Sequence, residues 1–313
     1  MKKLAIAIST ILISGAVYAD NTSDTTLHNA DGNVVGVIQF SPGSPGNESN
    51  VLIRNSDTNI VGVMQFGNEN EAKVRARNHS DDNTLNVNQN GANNKGVIKA
   101  KQGSDDNTFD VNQNGISNLG RVISHDSDRN TALINQTGEL NKANIRLTSA
   151  DDNGPLEIHQ DGNSNDSIIY VEGDFNSAIT TIEGNNNYTE TNFMGGSSDN
   201  RADIDITNGA SDNIVYTNVY NGDMNVTEVV IDSSNNNFVG AGQWGNDNES
   251  YITLENNSDF NGVLVGQFGD DSMATVSLDN SSYNFVLVAQ TNNDVATVDL
   301  TNSNGNGVFV AQF

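Results

Sequence analysis

Two stretches of the chain are nearly identical: NTLNVNQNGANN at residues 83–94 and NTFDVNQNGISN at residues 107–118. Both read Asn, five residues, Gln, one residue, Gly, two residues, Asn. A spelling that recurs at a fixed interval is typical of repeat architectures, in which each unit packs against its copies. The fold that the sequence predicts therefore depends on how often this residue pattern recurs.

The Asn and Gln spacing recurs along most of the chain, at intervals near 23 residues. One copy, Asn153 with Gln160, is a residue longer and contains Pro155. Weaker copies without Gln lie between, so that from Asn59 onward an anchor residue recurs every 10 to 13 residues, giving about 24 half-units. The other Asn/Gln pairs are Asn33/Gln39, Asn59/Gln65, Asn83/Gln89, Asn107/Gln113, Asn130/Gln136, Asn237/Gln243, Asn261/Gln267, Asn284/Gln290 and Asn306/Gln312.

Each half-unit alternates with a period of two, which predicts a β-strand. Asn83, Leu85, Val87 and Gln89 fall on one face, and the residues between them on the other. Clusters of Gly, Asn, Asp and Ser supply bends between the strands. The sequence predicts turn glycines at Gly67, Gly91, Gly115, Gly138, Gly162, Gly245 and Gly269.

Two strands and two bends per period predict an all-β fold, a β-solenoid with two strands per coil and about 12 coils. A unit of this size cannot bury its own inner face, whereas stacked copies can. Asn and Gln at the same inward position of every coil would form ladders, because each amide can donate to one neighbour and accept from the other. The Asn/Gln pairs above, together with Gln160, are the predicted ladder residues.

The ladder changes position along the chain. Counted from Asn33, Gln lies on the first strand of each coil up to Gln160 and on the second strand from Gln243 onward. Between them the inward positions carry Ile182, Ile206, Val219 and Ile231 instead. The sequence therefore predicts two Gln ladders on opposite sheets, joined by an apolar middle.

Composition limits the classes of partner and predicts the domain boundaries. The chain has 313 residues, no Cys, and 40 acidic against 14 basic residues, for a net charge of -26. Such an excess repels phosphate, so we expect no nucleic-acid partner. Residues 1–19 have the pattern of a secretory signal peptide cleaved after Ala19, and no later stretch predicts a membrane span. Residues 20–32 read as an N-terminal polar segment and residues 33–313 as the solenoid, with an insertion near residues 41–48.

No motif for catalysis, metal binding or a cofactor is found, so we expect none of these functions. The histidines His28, His79, His125 and His159 lack zinc-site spacing. Aspartate pairs such as Asp105-Asp106 recur at bends and could form a calcium ladder, although solvated turns explain them better. Residues 306–313 form a clean strand that runs to the end of the chain, and an open strand edge is a template for another chain.

The repeat resembles the curlin repeat of curli, the amyloid fibres on the surface of Gram-negative bacteria. The resemblance is carried by Asn83, Gln89, Gly91 and Asn94, by the same positions from Asn107, and by a Gln-aromatic pair at the C-terminus. It implies a two-strand solenoid that polymerises end to end outside the cell. It also implies export by the Sec route and an outer-membrane secretion pore, seeding by a nucleator subunit, and adhesion to host or abiotic surfaces within a biofilm matrix.

Two features distinguish this chain from the usual curlin subunit. It has more repeats, and the residues 20–33 are acidic and polar where the family has a Gly-rich export segment. The alternative function is therefore a monomeric β-solenoid surface adhesin or a calcium-dependent binding module.

Overall fold

The computed structural model describes residues 6–7, 11–12 and 20–313. Most of the predicted signal peptide, residues 1–19, therefore lies outside the described residues. The part described contains β-strands, turns and irregular segments, and none of its residues is helical. It has no helix of the length and apolar character that crossing a membrane would require.

The chain divides into two compact units, Met1–Ile158 and His159–Phe313. The strands of the first unit are β1 (Ile6–Ala7), β2 (Ile11–Leu12), β3 (Thr22–His28), β4 (Val34–Phe40), β5 (Glu48–Arg54), β6 (Ile60–Asn68), β7 (Glu71–Val74), β8 (Thr84–Ala92), β9 (Thr108–Ile116), β10 (Thr131–Glu139) and β11 (Lys142–Ile145). Strand β12 (Leu156–Asn163) begins in the first unit and ends in the second.

The second unit continues with strands of six or seven residues. They are β13 (Asp166–Val171), β14 (Ser177–Glu183), β15 (Tyr188–Met194), β16 (Arg201–Thr207), β17 (Ile214–Tyr220), β18 (Val226–Asp232), β19 (Phe238–Trp244), β20 (Glu249–Glu255), β21 (Gly262–Phe268), β22 (Met273–Asp279), β23 (Phe285–Gln290) and β24 (Val295–Thr301). The last strand, β25 (Gly307–Ala311), has five residues.

The strands form stacked coils of a β-solenoid with about 12 turns, as the repeat predicts. In the first unit β4, β6, β8, β9 and β10 follow one another in a 14-stranded sheet, and β3, β5 and β7 form a separate three-stranded sheet. In the second unit β14, β16, β18, β20, β22 and β24 belong to the 14-stranded sheet. The odd-numbered strands β13 to β25 belong to an eight-stranded sheet. Neighbouring strands such as β17 and β19, or β6 and β8, pair in parallel, because each strand meets its copy only after a full turn of the chain.

The core follows directly from the alternation of residues. In β8 the side chains of Leu85, Val87 and Gln89 are buried while Thr84, Asn86 and Asn88 are half-buried. Register keeps like residues together, so that Val87 pairs with Val111 of the next coil. Each fully buried Val, Leu or Ile contributes about 1.5–3 kcal/mol, and the stack repeats this contribution in every coil.

The prediction of two regular strands in every coil is wrong for the middle of the first unit. Between β7 and β11 the second half of the coil is irregular and touches its neighbours through isolated bridges at Lys95 and Leu119. Residues 95–101 bury Val97 and Ile98 consecutively, which breaks the alternation that a strand requires. Gly96 adds to this because it lies so close to Val87 that a Cβ atom would be 2.5 Å from the Val87 side chain.

The solenoid starts before the boundary expected at residue 33. Strand β3 lies inside the predicted polar segment and pairs in parallel with β5. The reason is an alternation of Ser23, Thr25 and Leu27 toward the interior, which the acidic composition of the segment obscured. The insertion lies between β4 and β5, and its last residue before the strand, Asn47, takes the anchor position.

The turn glycines occupy backbone conformations that favour glycine. Gly67, Gly91 and Gly115 have φ values of 105°, 118° and 129°, a region that L-residues rarely adopt. They also stack closely, since a Cβ atom on Gly91 would overlap the carbonyl oxygen of Gly115 in the next coil. The remaining predicted turn glycines, Gly138, Gly162, Gly245 and Gly269, have φ between 106° and 129°.

We expect Gly91→Ala to lower the free energy of unfolding by about 2–4 kcal/mol, because it adds both backbone strain and a clash with a rigid backbone oxygen. Gly36→Ala is the matched control: no atom of the described residues lies within 4 Å of a Cβ atom built there, and its φ is outside the left-handed region. Chemical denaturation of both variants measures the difference. Equal stability of the two would contradict the role assigned to the glycine stack.

Candidate functional site: amide columns and terminal edges

The first Gln column runs through the 14-stranded sheet of the first unit. Gln39, Gln65, Gln89 and Gln113 are buried, and each Nε2 donates to Oε1 of the Gln in the following coil at 2.8–2.9 Å. The same Nε2 also donates to backbone carbonyls, as from Gln65 to Glu48 and Asn70. The column therefore has a direction: donors point toward the C-terminal coils.

The Asn anchors form columns with the opposite direction. The backbone N–H and the Nδ2 of Asn59 both donate to Oδ1 of Asn33, at 2.8 and 3.0 Å. Asn83 and Asn107 repeat this arrangement on the preceding Asn of their column. The same bonds link Asn130 to Asn107. In these columns the donors point toward the N-terminal coils. The Asn and Gln columns therefore run in opposite directions, and each of them distinguishes the two ends of the stack.

The second Gln column lies in the eight-stranded sheet of the second unit, so that the two columns occupy different sheets as the half-unit count predicts. Gln243 donates to Gln267, Gln267 to Gln290, and Gln290 to Gln312, at 3.0–3.2 Å. The anchors Asn237, Asn261, Asn284 and Asn306 donate back along the chain, each to the Asn before it. Ile182, Ile206, Val219 and Ile231 are buried in the intervening coils.

The first residues of the two Gln columns differ in how their oxygens are paired. Oε1 of Gln243 accepts a hydrogen bond from the hydroxyl of Thr227 at 2.9 Å, which caps the second column. Oε1 of Gln39 is buried and has no partner within the described part of the chain. A buried acceptor without a donor costs about 1–3 kcal/mol, so Gln39 marks an incomplete position.

The C-terminal end of the second column carries the complementary groups. In the described residues Gln312 Nε2 donates only to the carbonyl of Val295, so its other N–H has no acceptor among them. Asn306 donates to Asn284, and its own Oδ1 accepts no bond from any described residue. At the other end the backbone N–H of Asn33 likewise has no acceptor among the described residues.

Backbone edges accompany these unpaired groups. β24 and β25 are the last strands of their sheets, and β3 is an outer strand of the three-stranded sheet. Among the described residues, the outer edge of β4 pairs with the dipeptides β1 and β2, at Val34, Val35, Ile38 and Gln39. Both dipeptides lie within the predicted signal peptide.

Aromatic side chains form exposed columns on the outward face of the eight-stranded sheet. The rings of Tyr220, Trp244 and Phe268 are stacked, with centroids 5.6 and 5.0 Å apart. A second group joins Tyr188, Tyr216 and Phe238 in tilted contacts. The sequence alone does not predict these columns, because only the register shows which rings meet.

The aspartates considered for calcium have a different role in the structure. Asp57, Asp81, Asp105 and Asp128 lie in one column, and each Oδ1 accepts the backbone N–H of the Asp in the preceding coil at 2.6–2.8 Å. Burial raises the pKa of Asp105, and the charges of Asp128 and Asp81 raise it further. No group of three or more His, Cys, Asp or Glu side chains in the described ranges could hold a metal ion.

Comparison with known proteins adds no family. No protein-family model matches this chain. No curated protein matches it either. The amide columns and the strand edges described above are therefore the features from which a function can be inferred.

We expect Gln113→Leu to lower the free energy of unfolding by about 2–4 kcal/mol, because Gln89 Nε2 and Gln136 Oε1 lose their partner in a buried column. Asn112→Leu is the control on the outward face of the same strand. Its amide bonds to Asn88 and Asn135 are only partly buried, so water can replace them and the loss should stay below about 1 kcal/mol. Equal losses in denaturation experiments would mean that burial of the Gln column has no special role.

Proposed function

We propose that this chain is a secreted, self-assembling structural subunit of a curli-like extracellular fibre that serves adhesion and a biofilm matrix. The single observation that carries the proposal is the complementarity of the two ends of the chain. Among the described residues, Gln39 Oε1 and the Asn33 N–H have no partner at one end, and one N–H of Gln312 Nε2 and Asn306 Oδ1 have none at the other. A second copy supplies each group with the partner that it has in every internal coil.

The same pairing satisfies the order of the strands. Strands alternate between two sheets along the second unit and end with β24 and β25. If β3 and β4 of the next copy follow, β3 pairs with β24 and β4 pairs with β25. The eight-stranded sheet of one copy then continues into the 14-stranded sheet of the next. The sheets exchange because the first Gln column lies in the 14-stranded sheet and the second in the eight-stranded sheet. A continuous Gln column between copies must therefore join the two kinds of sheet.

Side chains at this joint match in type and size. Residues 33–40 and residues 306–313 both read N-x-V-x-V-x-Q-F, so all inward positions are alike. At two outward positions a small residue faces a large one: Gly36 would lie opposite Phe309, and Ala311 opposite Ile38. No described residue other than its chain neighbours lies within 4 Å of a Cβ atom built on Gly36, and Phe309 is 70% exposed, so the ring has room to pack there once residues 1–19 are removed.

The amide directions also exclude the reverse arrangement. Placing two β4 edges together would bring acceptor against acceptor at Gln39, and two β25 edges would bring donor against donor at Gln312. Only the head-to-tail joint pairs donors with acceptors in both columns at once. Such a heterologous contact generates an open fibre when its rotation does not close into a ring.

Export and surroundings follow from the resemblance to curlin and are part of the proposal. The signal peptide would direct the chain through the Sec route, and an outer-membrane pore would release it at the surface of a Gram-negative cell. A nucleator subunit would start each fibre. Removal of residues 1–19 would also remove β1 and β2, which pair with the β4 edge used in the joint.

The chain of residues 20–313 should form fibres visible by electron microscopy, with a lag in thioflavin fluorescence that seeds shorten. Gln312→Glu should slow seeded elongation at least about ten-fold, because a carboxylate still accepts from Gln290 but cannot donate to Gln39. Asn246→Asp is the control: it adds the same charge and its Oδ1 still accepts the Asp223 N–H. A persistent β-rich monomer without fibres would instead support the adhesin alternative.

The joint itself can be tested by cross-linking, since the chain has no Cys. Mild oxidation of Ala311→Cys mixed with Ile38→Cys should give a covalent dimer, because the common register places these positions side by side. Ala311→Cys mixed with Thr26→Cys tests the alternative arrangement, in which β25 pairs with β3. There the eight-stranded sheet of one copy would continue into the three-stranded sheet of the next. Dimers from the second mixture alone would contradict the exchange of sheets while leaving fibre formation intact.

A further inference from the structure

A cluster of basic side chains lies in the first unit, although the chain as a whole is strongly acidic. The chain has 14 Lys and Arg residues and a net charge of -26. Six of the 14 belong to segments of three successive coils and form what is called here the basic cleft. They are Lys73, Arg75, Arg77, Lys99, Lys101 and Arg121.

The basic cleft is a concave feature and not merely a charged surface. Five of its cations, together with Ala100, line a cavity of about 240 Å³. The pKa of Lys99 lies below its ordinary value because the side chain is partly buried and the charges of Lys101, Arg121, Arg75 and Lys73 surround it. Like charges held this close destabilise the fold unless something else neutralises them.

The chain itself does not supply that neutralisation in its described part. Lys95 pairs with Glu71 at 2.6 Å, at the margin of the cleft. None of the six cations of the cleft makes an ion pair or a side-chain hydrogen bond with a described residue. In addition, Arg75 Nε is buried and has no hydrogen-bond partner in this part of the chain. An unpaired, buried guanidinium nitrogen beside a cavity points to a ligand that the fold is built to receive.

We propose that the basic cleft binds an acidic polysaccharide, a polymer that carries a carboxylate or sulfate group along its chain. The cations come from successive coils, which are about 4.8 Å apart, so they form a charged track along the coil stack. A polymer neutralises all of these cations together, and its binding releases the counterions condensed on the polymer. A single anion neutralises one or two cations. Arginine at positions 75, 77 and 121 suits planar carboxylates and sulfates, which it binds through two N–H groups.

The lining of the cleft favours a polysaccharide over a nucleic acid. No aromatic side chain lines the cavity, and stacking on aromatic side chains is a main contribution to the binding of single strands. The chain places its exposed aromatic columns in the second unit instead, at Tyr220, Trp244 and Phe268.

The carboxylates of a second copy are weaker candidates, because many of them already have partners. Asp232 accepts from Asn208 at 2.5 Å, Asp279 accepts from Asn256 at 2.7 Å, and Asp203 is paired with Arg201. Moving them onto the cleft would break these contacts. A free polymer can bind the cleft without breaking these contacts.

Titration of the full chain with dextran sulfate and with polygalacturonate tests the proposal and distinguishes sulfate from carboxylate recognition. Neutral dextran, inorganic phosphate and a DNA duplex serve as comparison ligands. We expect binding to at least one acidic polysaccharide, weakening steeply with salt, and no measurable binding to neutral dextran. Arg75→Gln with Lys99→Gln should weaken binding at least about ten-fold and reduce the salt dependence.

The matched control is Arg129→Gln with Arg201→Gln, which makes the same change in net charge. These two residues lie outside the cleft and are paired with Asp152 and Asp203. Binding should change less than about two-fold in this control, and thermal unfolding should show that both double variants are folded.

Three results would overturn the proposal. The first is equal weakening in both double variants, which would mean that charge alone attracts the polymer. The second is binding of DNA without binding of either acidic polysaccharide. The third is salt-dependent self-association that the cleft variant abolishes while neither polysaccharide binds, which would identify a second copy as the occupant. None of these results depends on whether the chain forms fibres.

Discussion

The hydrogen bond between a side-chain amide and its copy in the next coil is the interaction on which the rest of the structure depends. An amide buried without a partner costs about as much free energy as the burial of an apolar side chain gains, so a column of Asn or Gln is stable only when every member is present and in register. This requirement explains why the sequence repeats so closely. It also fixes the register, because a shift by one residue would move the whole column from the interior to the surface.

A column of this kind cannot end without leaving an unpaired group. The second Gln column begins at a hydroxyl from Thr227, which completes the first amide within the same chain. In the described part of the chain the first column has no such cap at Gln39, and at Gln312 the second column ends with an N–H that has no acceptor there. The opposite directions of the Asn and Gln columns give each end a distinct pattern of donors and acceptors. Head-to-tail assembly is the arrangement that satisfies both patterns.

The surface charge is organised by the same stacking. Because each coil repeats the last, a residue type that recurs at one outward position becomes a column. Aspartates at the turns share backbone N–H groups between coils, whereas Lys and Arg at outward positions concentrate in the basic cleft. The net charge of -26 therefore describes the surface as a whole and not the local charge of the basic cleft. The expectation that the chain has no nucleic-acid partner rests on this average charge and stays a prediction.

The sequence by itself determined the all-β repeat, the inward face of each strand, the turn glycines and the change of strand by the Gln column. These are set by residue type and spacing along the chain, and Asn83 to Asn94 already contains all of them except the last. Only the tertiary structure decided the features that depend on neighbouring coils. They include the irregular segment after Gly96, the strand at Thr22–His28, the direction of each amide column and the grouping of Lys99 with Arg75. The physical reason is that bond direction and charge proximity depend on which residues are adjacent across coils, and the linear spacing leaves both open.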